Sequence, residues 1–188
     1  MIDQFLNKLS SLSYLSDSTR DLLKPFISIK FFEKGDFILK QEEICRDLFY
    51  IQSGFAREYY FKKGKDVTEW FAGTGSFCFS IESYFNDTPS NLIIEALEPS
   101  KVIFLSKEGL MGLDKNNIEI SRLATNFFSN SLIASQRRME SIHFQSAKER
   151  YLYLIEQQPK ILHKVPLSHI ASFLGITQET LSRIRSKI

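Results

Sequence analysis

The spacing of apolar residues divides the chain into three parts. Residues 1–25 have the spacing of two short helices, with Ser16 as a predicted cap and Pro25 preventing extension. From about residue 28 to residue 106, short β-prone runs alternate with turn residues, and Lys63-Gly64 is a predicted hairpin tip. Many short strands at regular spacing indicate an antiparallel barrel or jelly roll. The predicted strands are 29–32, 36–40, 47–51, 55–61, 67–71, 92–97 and 102–105.

Beyond Leu110 the apolar period becomes that of a helix. Apolar residues recur about every 3.5 positions, at Ile120, Leu123, Phe127, Phe128, Leu132 and Met139. A helix of this length between two domains has more apolar surface than a small barrel covers, so we expect part of it to pack against the same helix of a second subunit. The alternative is a helix that lies wholly on its own β domain. A capping box at 146–149 then starts a new helix, which places a hinge near 142–145.

The C-terminal residues predict two short helices joined by a tight turn. The first helix has an apolar stripe at positions i, i+3, i+4 and i+7, formed by Leu167, Ile170, Ala171 and Leu174. Gly175 follows it, where a helix commonly ends in the left-handed conformation. Thr177 is the predicted cap of the second helix, whose stripe is formed by Leu181, Ile184 and Ile188. A small residue at the crossing, a glycine in the turn and an apolar anchor are what a helix-turn-helix needs.

One face of the second helix has the chemistry of base recognition. Glu179, Ser182 and Arg183 lie at i, i+3 and i+4, away from the apolar anchor. In the major groove a carboxylate accepts from a cytosine amine and a guanidinium donates to a guanine edge. Residues 146–188 carry seven Lys or Arg against three Glu, a net charge of +4, whereas the rest of the chain has −2. This asymmetry favours DNA binding by one part of the chain; the alternative is an ordinary helical hairpin with a polar face.

Composition argues against several other classes of protein. No run of eighteen apolar residues occurs, and the N-terminus lacks the form of a signal peptide, so we expect a soluble, cytoplasmic protein without a membrane partner. Cys45 and Cys78 are too few and too isolated for a disulfide framework, a zinc site or an iron–sulfur cluster, and we interpret them as buried thiols. Because no catalytic triad, paired-carboxylate or phosphate-loop signature is present, we predict no catalytic or metal-binding residues and no enzyme activity.

A series of short motifs follows in a characteristic order. They are KGD at 34–36, DLFYIQSG at 47–54, GKD at 64–66, GSF at 75–77, IEA at 94–96, SAKER at 146–150 and LGITQETLSRI at 174–184. Over essentially the full length, this order resembles the cyclic-AMP receptor protein and fumarate–nitrate regulator (Crp–Fnr) family of bacterial transcription regulators.

The resemblance implies an α+β homodimer in three parts. These are a β-roll sensor (a double-stranded β-helix, or jelly roll, like that of cyclic-nucleotide-binding domains) at residues 1–109, a dimerisation helix at 110–142 and a helix-turn-helix domain at 143–188. The family's domain is winged, and here a wing depends on the short segment 159–166. The implied partners are double-stranded DNA with a palindromic site and RNA polymerase.

The segment after the GSF motif departs from the cyclic-nucleotide-binding members of the family. Those members supply a Glu for the ribose hydroxyl and an Arg followed by Ser or Thr for the phosphate, where this chain has Ser80, Ser90 and Asn91. No Lys or Arg lies between Phe77 and Asn91, and a buried phosphate needs a cation. Glu82 reaches the ribose position only after a shift of two residues. We therefore expect neither a cyclic nucleotide nor, for want of the family's cysteine cluster, an iron–sulfur cofactor; haem ligation by a sensor cysteine is a minor alternative.

Candidate site residues lie in the sensor and in the C-terminal helices. The polar and apolar groups of the sensor suit a small uncharged effector, and the predicted pocket residues are Phe79, Ser80, Ser90, Asn91 and Ser135. The predicted base-reading residues, which by resemblance recognise a TTGA-like half-site, are Gln178, Glu179, Ser182 and Arg183. The predicted phosphate contacts are Thr177, Arg185, Lys187 and Lys164. The resulting hypothesis is a DNA-binding regulator with a degenerate cyclic-nucleotide pocket; the alternative is a β-roll signalling module whose helical C-terminus binds a protein partner.

Overall fold

Two antiparallel four-stranded sheets enclose the larger of two apolar clusters. A computed structural model describes residues 2–159 and 161–187 of the chain. The strands are β1 (Ile27–Phe32), β2 (Phe37–Leu39), β3 (Asp47–Ser53), β4 (Phe55–Lys62), β5 (Lys65–Gly73), β6 (Phe77–Cys78), β7 (Ile93–Ala96) and β8 (Ser100–Ser106). Their order is β1-β8-β3-β6 in one sheet and β2-β7-β4-β5 in the other. The predicted α+β class with an N-terminal β-roll is therefore confirmed.

Two helices precede the sheets, α1 (Ile2–Leu12) and α2 (Asp17–Leu23). As predicted, Ser16 caps α2, because its side chain accepts a hydrogen bond from the Thr19 backbone N–H. The backbone N–H of Ser16 also donates to the Glu119 carboxylate over 2.7 Å, which ties the start of α2 to the start of the long helix.

The β region differs from the sequence prediction in two places. Strand β6 has only two residues, too few for a period to be visible, and it was missed. The segment after it forms a helix, α3 (Ile81–Asn86), which was also missed because it is one and a half turns long. The hairpin tip at Lys63-Gly64 is confirmed: both residues have positive φ, and Lys62 pairs with Lys65.

The long helix α4 runs from Ile118 to Phe144, after a π-helical turn at Glu108–Gly112 and a 3₁₀ turn at Asp114–Asn116. It therefore begins later than the predicted position near Leu110. Its first half packs against the β-roll through four buried residues, Ile120, Leu123, Ala124 and Phe127. Its second half leaves large apolar side chains exposed, namely Leu132, Ile133, Met139, Ile142 and Phe144.

In the described part of the chain, four helices follow the long one. They are α5 (Ala147–Gln157), α6 (Ile161–Lys164), α7 (Leu167–Leu174) and α8 (Gln178–Arg185). The predicted capping box is present: the Ser146 side chain accepts from the Glu149 N–H, and the Glu149 carboxylate accepts from the Ser146 N–H. Among the described residues after Ser106 there is no strand. Residues 161–164, within the segment on which a wing depends, are helical. Within the same described residues, no helix is both long and apolar enough to span a bilayer.

A second apolar cluster joins the C-terminal helices to the β-roll. Three of its residues come from the β-roll, Phe55, Phe71 and Leu97. The others come from the C-terminal helices and the residues between them, chiefly Tyr151, Leu154, Ile161, Val165, Ile170, Ala171, Leu174 and Leu181. Because this shared core excludes water from both surfaces, it fixes α7 and α8 against one edge of the β-roll.

Candidate nucleic-acid interface

The turn between α7 and α8 has the geometry that the sequence predicts. Gly175 is left-handed with φ of 69°, and its N–H donates to the carbonyls of Ala171 and Ser172. The N–H of Ile176 also donates to the Ala171 carbonyl over 3.0 Å, which closes the end of α7. Below the turn, Leu174 of α7 and Leu181 of α8 are both buried. The two helices are thus held by one apolar contact and one glycine-dependent turn.

The N-terminus of α8 is capped as predicted. The Thr177 side chain accepts from the Thr180 N–H over 3.2 Å, and its hydroxyl lies 3.2 Å from the Thr180 hydroxyl. Ile184 of the predicted stripe is partly buried, whereas Ile188 lies outside the described residues. All four predicted base-reading residues are exposed: Gln178, Glu179, Ser182 and Arg183.

Local hydrogen bonds keep the Glu179 side chain ionised and position the Arg183 side chain. Hydrogen bonds from its own backbone N–H and from the Thr177 hydroxyl, with the nearby Arg183 guanidinium, hold the pKa of Glu179 below its usual value. Glu179 is therefore an ionised acceptor at neutral pH. Arg183 donates to the Thr180 hydroxyl over 3.2 Å, one turn before it on the helix. An acceptor and a donor thus stand side by side on the exposed face of α8.

The predicted phosphate contacts have different surroundings. Arg185 and Lys187 are exposed, and within the described residues neither side chain forms a hydrogen bond or ion pair. Lys164 differs, because its ammonium pairs with the Glu98 carboxylate of the β-roll at 2.5 Å and lies 5.6 Å from the Phe55 ring centre. In this arrangement Lys164 holds α6 against the β-roll.

Sequence reasoning missed two arginines that secure the C-terminus of α7. Arg150 donates to the Leu174 carbonyl from Nε over 3.2 Å and from Nη2 over 2.8 Å. Arg138 donates to the Phe173 carbonyl, and its guanidinium lies 3.9 Å from the centre of the Phe173 ring. Carbonyls at a helix C-terminus lack partners within the helix, and these arginines supply them from α4 and α5. The contacts join residues far apart in sequence, so no local signal reveals them.

Polar contacts dock α7 on the β4–β5 hairpin. Arg57, only 2% exposed, donates to the Thr68 hydroxyl over 2.8 Å, to the Asp66 carboxylate over 2.5 Å and to His169 Nε2 over 3.1 Å. Burial, and then the charge of Arg57, lower the pKa of His169, so its neutral ring accepts this bond. The Ser172 hydroxyl accepts from the Thr68 N–H over 2.9 Å. The sequence signal that could have revealed this contact is the pair of consecutive charges, Arg57 and Glu58, inside an otherwise apolar strand.

The five predicted effector residues lie in two kinds of environment. Phe79, Ser80 and Ser90 are buried, whereas Asn91 and Ser135 are exposed. The Phe79 ring packs against the rings of two α4 residues, Phe127 and Phe128. The Ser90 hydroxyl donates to the Leu92 carbonyl and accepts from the Leu92 N–H. None of the five lines the cavity between α4 and α5 or the cavity beside Lys107.

Acidic groups are buried next to the segment that follows the GSF motif. Burial, with the nearby Glu69, raises the pKa of Glu58 to about 8, although its carboxyl accepts from the Phe79 N–H. Burial likewise raises the pKa of the Cys45 thiol to about 11 and that of Cys78 well above its usual value. At neutral pH these groups are largely protonated. In the described residues, no cluster of three or more His, Cys, Asp or Glu could hold a metal ion.

Comparison with known proteins agrees with this architecture. Residues 29–117 match the family model of the cyclic nucleotide-binding domain. A cAMP-dependent protein kinase regulatory subunit from Debaryomyces hansenii is 32% identical over 113 residues, which are 60% of this chain and 24% of that protein. The chain thus spans about a quarter of the length of this curated relative.

Solved structures extend the likeness to the C-terminal helices. FixK2 from Bradyrhizobium japonicum superposes with a TM-score of 0.72 at 17% identity, covering 86% of this chain and 83% of that one. A transcriptional regulator of the crp/fnr family from Eubacterium rectale superposes with a TM-score of 0.70 at 19% identity, covering 90% of this chain and 82% of that one. At these identities the likeness shows the fold. Residues 29–117 are therefore similar to a cyclic nucleotide-binding domain, and the chain has the fold of these Crp–Fnr regulators.

Proposed function

We propose that the chain is a sequence-specific DNA-binding transcription regulator of the Crp–Fnr type. Residues 1–109 form its sensor, residues 110–142 its dimerisation segment and residues 143–188 its helix-turn-helix domain. The observation that carries the proposal is the α7–α8 pair, with its left-handed Gly175 and its exposed polar face, in a chain with the fold of known regulators. A partner-binding helix has no need of an ionised acceptor beside a guanidinium donor.

Selection from a random pool of double-stranded DNA tests the proposal directly. We expect the full-length chain to enrich an inverted repeat of a TTGA-like half-site, with half-sites about one helical turn apart. Glu179→Ala and Arg183→Ala should each cost about 1–3 kcal/mol in binding and relax the preference at one base pair. Arg122→Ala, an exposed change on α4, is the matched control and should change neither. Enrichment of no palindrome would contradict the proposal and favour the protein-partner alternative.

The exposed half of α4 supports a homodimer. Contiguous exposed apolar surface commonly marks an interaction site, and here Leu132 and Met139 are 69% and 56% exposed, two turns apart on the same helix. Met139→Asp should convert the dimer to a monomer in light scattering, because a buried carboxylate without a partner is costly. Asn130→Asp, also exposed on α4, should leave the molar mass unchanged. A monomeric parent chain would contradict this part of the proposal.

For the sensor we propose an uncharged effector and no cyclic nucleotide. The buried Glu58 carboxyl already accepts a hydrogen bond from the Phe79 N–H, and burial raises the pKa of the neighbouring Cys45 and Cys78 thiols. These acidic groups are neutral at pH 7, and residues 77–91 supply no Lys or Arg to offset the desolvation of a bound phosphate. The curated relative is named for a cAMP-dependent kinase, so cyclic AMP is the ligand to exclude first. Calorimetric titration with cyclic AMP and cyclic GMP should give no heat of binding, and micromolar affinity for either would overturn the proposal.

A further inference from the structure

The hinge contains a cavity that none of the predicted site residues lines. Its volume is about 620 Å³, within the range of about 300–1,000 Å³ that small-molecule sites occupy. Its walls come from β5, the C-terminal end of α4, α5 and the end of α7. All the segments that meet at the hinge therefore contribute to one cavity.

Aromatic side chains form most of the apolar wall. Trp70 and Phe71 come from β5, Tyr153 from α5 and Phe173 from α7. The Phe71 and Phe173 rings lie 5.1 Å apart, so β5 and α7 meet at the base of the cavity. Such a wall can remove the apolar part of a small molecule from water.

Positive charge is in excess around the same cavity. Arg137, Arg138 and Arg150 line it, against a single lining carboxylate, Glu140. Among the described residues none of these arginines forms a salt bridge, although Arg138 and Arg150 donate to backbone carbonyls. Burial, and then the charge of Arg150, lower the pKa of Arg138 to about 10. The nearby Glu69 carboxylate opposes this lowering only in part, so the charge of Arg138 is not fully compensated.

We propose that this cavity binds a small organic anion with an apolar body, such as a hydrophobic monocarboxylate. The aromatic wall contacts the apolar body, and Arg137 and Arg138 bind the carboxylate. A guanidinium can bind a carboxylate through two parallel hydrogen bonds. Such a ligand adds a negative charge beside Arg138, whose repulsion by Arg150 is opposed only in part by Glu69. The site is separate from the β-roll sensor and does not depend on DNA binding, so its failure and that of the proposed function are distinguishable.

The fluorescence of Trp70 reports directly on the site, because the chain has a single tryptophan. Decanoate, which does not absorb where tryptophan does, is the probe, and 1-decanol is the neutral control of matching chain length. We expect saturable decanoate-dependent change in Trp70 emission from the full-length protein, at concentrations at least tenfold lower (about 1.4 kcal/mol) than for 1-decanol.

Variants separate the role of the charge from that of the cavity. Arg137→Gln should weaken decanoate about tenfold or more and leave 1-decanol unchanged. Arg122→Gln removes the same charge from α4 outside the cavity and should bind like the parent. Circular dichroism checks folding, and Arg137 makes no described side-chain contact whose loss could disturb the fold. Equal binding of acid and alcohol, an unchanged Arg137→Gln, or no saturable signal would each overturn the proposal.

Discussion

The buried carboxyl of Glu58 makes the stability of the chain depend on pH in a defined direction. Its pKa is about 8 in the folded chain, against an ordinary 4.5. A raised pKa means that the folded state favours the protonated acid, while the unfolded state ionises freely above pH 4.5. Raising the pH through this window therefore favours unfolding. Each unit of pH between the two values removes about 1.4 kcal/mol, so the penalty is under about 1 kcal/mol at pH 5 and roughly 3 kcal/mol at pH 7.

Glu58→Gln isolates this penalty. The amide is uncharged at every pH, and its oxygen can still accept from the Phe79 N–H. The unfolding free energy of the variant minus that of the parent should therefore increase by about 2–3 kcal/mol between pH 5 and pH 7. The second amide hydrogen adds a cost of burial, but this cost is the same at both pH values and leaves the slope intact.

Urea unfolding at pH 5, 6 and 7, followed by Trp70 emission and by circular dichroism, gives the required differences. Glu82→Gln, an exposed change on the adjacent helix α3, is the matched control and should track the parent. A variant-minus-parent difference that stays constant from pH 5 to pH 7 would refute the reasoning. It would also remove the main support for a sensor that rejects anions.

Further changes test other parts of the structure. Gly175→Ala should cost about 1–2 kcal/mol in urea unfolding, because φ is 69° and nothing else crowds the position. Gly54→Ala should cost more, since a Cβ there would lie 2.7 Å from the Ser100 Cα, and it should reduce soluble expression. Arg57→Met should lower the free energy of unfolding by about 2–3 kcal/mol. The loss is moderate because its carboxylate partner, Asp66, is half exposed and stays solvated. Arg185→Ala should weaken all DNA sequences alike and lower the salt slope by about one unit in titrations at several ionic strengths.

Features governed by neighbours in sequence were predictable. The cap at Ser16, the capping box at Ser146 and the turn at Gly175 each depend on a few consecutive residues whose side chains or backbone satisfy local groups. The strands other than the two-residue β6 were predicted for the same reason, since alternation and turn residues are local. The exposure of the polar face of α8 followed from the helical period alone.

Features governed by distant partners were not predictable. Arg57 is buried because Asp66 and Thr68 are beside it in the hairpin and His169 approaches from α7, over a hundred residues away. The role of Lys164 likewise depends on Glu98. Periodicity assigns such residues to a face but says nothing of what covers it, so the hinge cavity and the shared apolar core had no counterpart in the sequence analysis.

Helix α7 is the element through which the β-roll and α8 are mechanically joined. It is bound to β5 by the Ser172–Thr68 contact and to β4 by the His169–Arg57 contact. The arginines at its C-terminus bind it to α4 and α5. It is bound to α8 by the turn at Gly175 and the buried Leu174. A movement of β5 relative to α4 must therefore break one set of contacts or carry α7 with it. Because the described residues of α8 make no hydrogen bond or ion pair with the β-roll, the orientation of α8 follows whichever set of α7 contacts holds.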